Sequence, residues 1–378
     1  MNEMERENLR KVILNYLKEI GFDINPHLRP RNPSKNFLRR IHDKRRIEQI
    51  IKNKNFLKEH TETVKKYYKP KEINLEDIKL KMVFIGNKNS EDYVIYKWWS
   101  IMWWSLPYER SVGRSIKYIL FDEIHDLPFG IVGLQSPFLS CEARDKYLGI
   151  SKEMRDYWVN QSLSAQRVGA LPPYNQLFGG KIVAMSLSSR ELWEYYKQKY
   201  NGKVTMKKKR QIPANLLFVT TLSAYGRSKM YEDLYFCGKK LSEFIGYSKG
   251  AGTFHFTDEI YEVLLGVLGK KICRDSFKTS PSRKLKLTSK ALKLIGLTDF
   301  EYHNVKRAVY LFPHAENLRE VISLGKKPKW TNFRFEDLYK SWKVNLENQR
   351  ILPIDWNKIK LLVAKNLPEG LKKEFFSA

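Results

Sequence analysis

The apolar positions change rhythm along the chain. Leu9, Val12, Ile13, Tyr16, Leu17 and Ile20 recur at helical spacing and Gly21 stops them, so residues 6 to 20 read as a helix. After Pro26, Pro30 and Pro33, Ser34 is placed to cap a second helix through Phe37, Leu38, Ile41, Ile47, Ile50 and Ile51. From Leu80 the runs shorten. Residues 82–85 and 93–96 read as strands. Ser115 to Asp122 and Phe129 to Leu134 alternate as a hairpin about a turn at 123–128. Ser164 to Gly169 and Leu216 to Leu222 add two strands, while 144–160 reads as mostly helical and 181–199 as a helix. Beyond Gly252 come helices at 257–268 and 284–295, then a strand at 308–312.

This order predicts an α/β (α+β) protein built on a mixed sheet. Three parts are expected: a basic helical module at 1–74, the α/β core at 75–250, and a mainly helical DNA-binding or packing region at 251–378. In the last, a helix-helix-strand order carrying Arg283, Lys284, Lys286 and Lys290 is compatible with a winged helix. Trp98, Trp99, Trp103 and Trp104 are expected as core or loop anchors rather than a base-stacking platform. The length of 378 residues allows a sizeable core.

Charge changes the picture most. There are 69 Lys+Arg against 41 Asp+Glu, a formal net of +28, which draws polyanions and makes nucleic acid, DNA above all, the expected partner. The 9 Trp, 20 Phe and 21 Tyr exclude general disorder. Cys141, Cys237 and Cys273 form no Cys-x-x-Cys pair, which excludes Cys₄ zinc and a disulfide framework and fits a reducing cytoplasm. The charged start from Met1 to Lys18 has no signal-peptide character, and no apolar window is long enough to span a bilayer.

Phosphate contacts are expected from Arg39, Arg40 and Arg45 on the second helix and from Arg110, Arg114, Arg144 and Arg167 around the sheet. Lys207, Lys208, Lys209, Arg210 and Arg227 extend the set. Gly179, Gly180 and Lys181 sit where a loop enters a helix, a place suited to an anion or to a tight packing turn. Asp122, Glu123 and Asp126, with Glu142 and Asp145 nearby in sequence, are the candidate catalytic carboxylates. Asp122 and Asp126 would hold Mg²⁺ or Mn²⁺ if the chain is a nuclease, and a solvated hairpin turn is the alternative. Arg144 and Asp145 are also candidates for an internal ion pair.

Several short motifs follow one another in a familiar order. Ser105-Leu106-Pro107-Tyr108, Gly113-Arg114, Phe121-Asp122 and Gly130-Ile131-Val132-Gly133 resemble the DruA family of Druantia anti-phage systems. The likeness continues through Ser136-Pro137, the run from Arg144 to Ile150, Asn160-Gln161, Leu171-Pro172, Gly179-Gly180-Lys181, Thr220-Thr221 and Gly226-Arg227-Ser228. The resemblance implies a defence or mobile-element role, companion defence proteins, and a core likened to the GNAT acetyltransferase fold. In that fold the pyrophosphate of acetyl-CoA sits at the turn before the central helix, here Leu177 to Lys181, with a cleft leading to Glu123 or Tyr174. The Arg/Gln-x-x-Gly-x-Gly/Ala loop of active acetyltransferases is only partly present in Gln176-Leu177-Phe178-Gly179-Gly180.

Overall fold

The computed structural model describes residues 2–344 apart from 26, 33, 69–72, 105, 107, 110, 206, 207 and 269–280. Helix α1 (Glu3–Glu19) starts with a capping box between Asn2 and Glu5 and ends at Gly21, whose φ of 101° favours glycine. Strands β1 (Phe22–Asp23) and β2 (Arg29–Pro30) form a small hairpin before α2 (Lys35–Lys52), which Ser34 caps, and α3 (Lys54–Lys65). The core then runs β3 (Leu80–Phe84), α4 (Glu91–Met102), β4 (Ser115–Asp122), β5 (Leu127–Gln135), α5 (Glu142–Leu148), α6 (Arg155–Val159) and β6 (Ser162–Ala170). It continues with α7 (Gly179–Met185), α8 (Arg190–Tyr200), β7 (Phe218–Leu222), a minor hairpin β8 (Tyr235–Phe236) and β9 (Lys239–Lys240), and β10 (Glu243–Tyr247). Helices α9 (Asp258–Gly266) and α10 (Pro281–Leu294), strand β11 (Ala308–Pro313), and helices α11 (Leu318–Leu324) and α12 (Phe335–Val344) complete it.

Seven strands form one mixed sheet in the order β10-β11-β7-β6-β5-β4-β3. Only β6 and β7 run parallel, and the α7–α8 segment lies in the crossover between them. Every residue of β5 is buried, as expected for a strand covered on both faces. The glycines of β5 identify the two layers. A Cβ on Gly130 would strike Val183 of α7, and one on Gly133 would strike Tyr96 of α4, so α7 and α4 cover opposite faces. A second apolar cluster joins α1 and α2 (Ile13, Leu17, Leu38, Ile41) to α9 and α10 (Ile260, Leu264, Ala291, Leu292).

Three expectations are corrected. Residues 93–96 are helical: Ser90 caps α4, Glu91 and Asp92 occupy its first turn, and Ile95, Tyr96, Trp98, Trp99 and Met102 are all buried. Burial around so much of a helix removes the polar face that would have revealed its period. The helix expected at 181–199 is two. Ser186 hydrogen-bonds back to the Val183 carbonyl, and Ser189 caps α8 afresh. The strand at 308–312 forms, but it pairs with β7 and β10 inside the main sheet and is no wing for α9 and α10. The expected Trp anchors hold, Trp98 and Trp99 being fully buried.

Candidate nucleic-acid interface

Lys117 of β4, Gly133 of β5 and Arg167 of β6 stand directly opposite one another. Opposed residues project to the same face, so two cations flank a position that has no side chain. Tyr96 fills that gap. It is 1% exposed, and its Oη finds no hydrogen-bond partner among the described residues.

The electrostatics of this row are one-sided. Burial, followed by repulsion from Arg167, Lys199 and Lys88, pushes the Lys117 ammonium down to about 8. The three charges named are all cations. Lys199 is itself lowered by burial and by Lys203. Lys117 Nζ donates to Ser115 Oγ (2.8 Å), and the Ser115 backbone bonds Tyr200 Oη at the end of α8. Arg167, only 3% exposed, is held by the Glu109 carbonyl (2.8 Å) and the Tyr108 ring (4.8 Å), while its Nε finds no partner among the described residues. Arg114 donates to the Asn160 carbonyl and lies over the rings of Tyr196 and Tyr200. Aromatic faces and carbonyls thus position these cations without neutralising them.

The other expected basic residues divide by exposure. Arg39 and Arg40 are exposed on α2, over the rings of Tyr225 and Phe37. Arg227 pairs with Glu232 (2.6 Å) and covers Phe244. Lys208 and Arg210 pair with Asp156, whose carboxyl the Arg210 hydrogen bond holds below its usual range. Lys209 is exposed in a left-handed turn. Two residues are withdrawn from solvent. Arg144 is 1% exposed and donates to Asp145 and to the carbonyls of Phe138 and Leu139. Arg45 joins Glu48 and Asp258; burial of Asp258 works against ionisation, but Lys52, Arg45 and Lys284 hold its carboxyl at about 2. Arg110 and Lys207 lie outside the described residues.

The expected catalytic carboxylates do not converge. Asp122 is fully buried and accepts from the backbones of Lys79 (3.2 Å) and Ile124 (3.3 Å) and from Tyr174 Oη (2.8 Å), with His125 Nδ1 at 2.7 Å. It ties the hairpin turn to the start of β3 and to the loop before α7. Glu123 is held by Lys81 and Lys79, and Asp126 takes a turn conformation with φ 52°. Glu142 pairs with Lys249, and Asp145 with Arg144 and Arg155, on a helix packed against β10. Four strand spacings separate β5 from β10, roughly 20 Å. Among the described residues, no group of three or more His, Cys, Asp or Glu is arranged to hold a metal ion.

The 177–181 turn is packed. A Cβ on Gly179 would collide with the Tyr174 carbonyl and press on Phe129 and Ala170, and one on Gly180 would lie 3.0 Å from Met230 Sδ. Lys181 N bonds back to the Phe178 carbonyl (2.9 Å), and α7 is only seven residues long. Tyr174 is fully buried. This geometry fits close packing of α7 on the sheet.

Sequence reasoning missed Lys88, Lys117, Lys199 and Lys203. The available signal was Lys117 itself, a lone charge inside the apolar strand Ile116 to Phe121.

No helix among the described residues is long and apolar enough to cross a membrane, and Cys141 and Cys237 are free thiols. No solved structure matches the chain. A curated relative, the Druantia protein DruA of Escherichia coli (strain UMEA 4076-1), is 28% identical over 339 residues, covering 85% of this chain and 81% of that protein. The family model described as Druantia protein DruA matches residues 32–323, well over half of the sequence. The chain belongs to the DruA family of Druantia anti-phage defence proteins.

Proposed function

We propose that this DruA-family protein binds DNA, seating the phosphate backbone on the surface made by Lys88, Arg114, Lys117 and Lys199, with the buried Arg167 adding its charge from beneath. The observation that carries the reading is Lys117, half-buried and lowered first by that burial and then by three neighbouring cations. A site that stores like charge in this way gains when a polyanion enters it. Arg39, Arg40, Lys209 and Arg227 extend the basic surface, and companion defence proteins are further partners on this reading. Binding is sequence-tolerant, because phosphate contacts position a nucleic acid without reading its bases. Fluorescent single-stranded and duplex oligonucleotides titrated with salt test it. Both bind at about 50 mM salt and are released steeply as salt rises; no binding at low salt contradicts the proposal.

The core itself we read as GNAT-like, used without acyl transfer. The single parallel pair β6–β7, joined through a helical crossover that opens at Gly179, supports the fold. The packed turn argues against the cofactor.

A further inference from the structure

At the sheet end opposite the 177–181 turn, a cavity of about 460 Å³ is lined by Ser188, Arg190, Trp193, His314, Trp330 and residues 331–332. The register fixes its place: the start of β6 pairs with Phe218, and Phe218 pairs with Pro313, the residue before His314. The volume lies within the range of small-molecule sites, about 300–1,000 Å³. A groove of about 540 Å³ shares Arg190 and Trp193 and runs along α8 past Glu194 and Lys197.

The lining has a consistent chemistry. Trp193 and Trp330 contact each other with ring centroids 5.1 Å apart and planes 46° apart, an aromatic corner that can take the face of a flat ligand on one ring and its edge on the other. Two polar atoms of the lining are buried without partners among the described residues: Trp193 Nε1, a donor, and His314 Nε2. Burial pushes the His314 imidazole down to about 4, opposed by a backbone hydrogen bond with Leu187, so it is neutral near pH 7 and able to match a ring heteroatom. Cations stand at the groove. Arg190 pairs with Glu194 through an ion pair that is nearly half exposed on both sides, which makes it weak and easily opened, and Lys197 Nζ lies 5.4 Å over the Trp193 ring. A flat heteroaromatic ring bearing an anionic group satisfies all of these features.

We propose that this pocket takes a nucleoside monophosphate unit, with the base against Trp193 and Trp330 and the phosphate toward Arg190 and Lys197. The source is either a free nucleotide or an unstacked base of a single strand. Helix α8 carries Trp193 and also Lys199, about 9 Å further along its axis, so one strand can reach both the pocket and the basic surface.

Calorimetric titration of the full chain with adenosine, guanosine, cytidine and uridine monophosphates, and with their nucleosides, tests the pocket without DNA. At least one monophosphate binds more tightly than its nucleoside, and Arg190→Gln removes that difference. Trp193→Ala lowers affinity about tenfold or more, with a thermal melt confirming folding, and His314→Gln changes the preference among bases. If only short single-stranded oligonucleotides bind, and Trp193→Ala weakens them but not duplex DNA, the source is a strand. No binding of any monophosphate or single strand up to about 1 mM, or binding that ignores both Arg190→Gln and Trp193→Ala, overturns the pocket. Because mononucleotides do not need the Lys117 surface, this failure is distinguishable from failure of the DNA-binding reading.

Discussion

Lys117 and Arg167 face the same side of the sheet across Gly133, and burial, then repulsion led by Arg167, holds the Lys117 ammonium down to about 8. Sheet register alone brings these charges together, since Gly133 contributes no side chain between them. The arrangement costs the free protein stability and favours an anionic ligand.

The Tyr96 phenol wedged over Gly133 is fully buried, with an unpartnered hydroxyl. Tyr96→Phe removes that unsatisfied group and stabilises the fold by about 1 kcal/mol. Gly133→Ala drives a methyl into the same space and costs about 2 kcal/mol. Thermal melts of the two variants therefore move in opposite directions; equal destabilisation contradicts the packing described.

Asp122 acts as a structural hub. Asp122→Ala leaves His125, Tyr174 and two backbone amides without their acceptor and costs about 3 kcal/mol or more. Below its lowered melting temperature the variant still binds DNA. A variant of unchanged stability that loses plasmid cleavage in Mg²⁺ or Mn²⁺ would instead identify a catalytic acid.

The glycines at 179 and 180 differ in what surrounds them. Gly179→Ala meets the Tyr174 backbone, which cannot move aside, and loses about 2 kcal/mol or more. Gly180→Ala meets only the flexible end of Met230 and stays within about 1 kcal/mol. Equal melting temperatures for the two variants refute this contrast.

Acid destabilises the protein before its carboxylates titrate. Burial lowers His42 and His255 to about 3, His314 to about 4, and His303 well below its ordinary value. The unfolded chain takes up these protons below about pH 6.5 while the folded chain does not. Stability therefore falls as pH drops from about 6.5 toward 4, by up to about 1.4 kcal/mol per pH unit for each histidine. Melts between pH 7.5 and 5 follow this, and His314→Gln flattens the slope; a constant melting temperature across that window rules it out.

Much of the sheet was legible in the sequence. Ser115 to Asp122 alternates where one face meets α4 and the other α7, and Leu216 to Leu222 is a compact β-branched and aromatic run. Helix α4 was hidden because its period disappears when most of its surface is buried. The insertion of β11 beside β7 depends on pairing nearly 90 residues apart in sequence, which no local pattern records. The proposed interface was partly visible in Arg114, whereas Lys117 gains its meaning only from opposing Gly133 and Arg167. Arg45 and Arg144 resembled phosphate ligands because a sequence cannot show that Asp258, Asp145 and main-chain carbonyls already use their donors.

DNA affinity measured from pH 7 to 9 at fixed low salt, for the wild type, Lys117→Arg and Lys117→Gln, shows whether the Lys117 ammonium meets a phosphate. The wild type weakens as pH rises through about 8, because the Lys117 ammonium loses its proton there. Lys117→Arg keeps its charge and holds its affinity to pH 9. Lys117→Gln is already about tenfold weaker at pH 7, with a shallower salt dependence and little further change. The same pH slope in all three proteins would contradict a phosphate contact at Lys117.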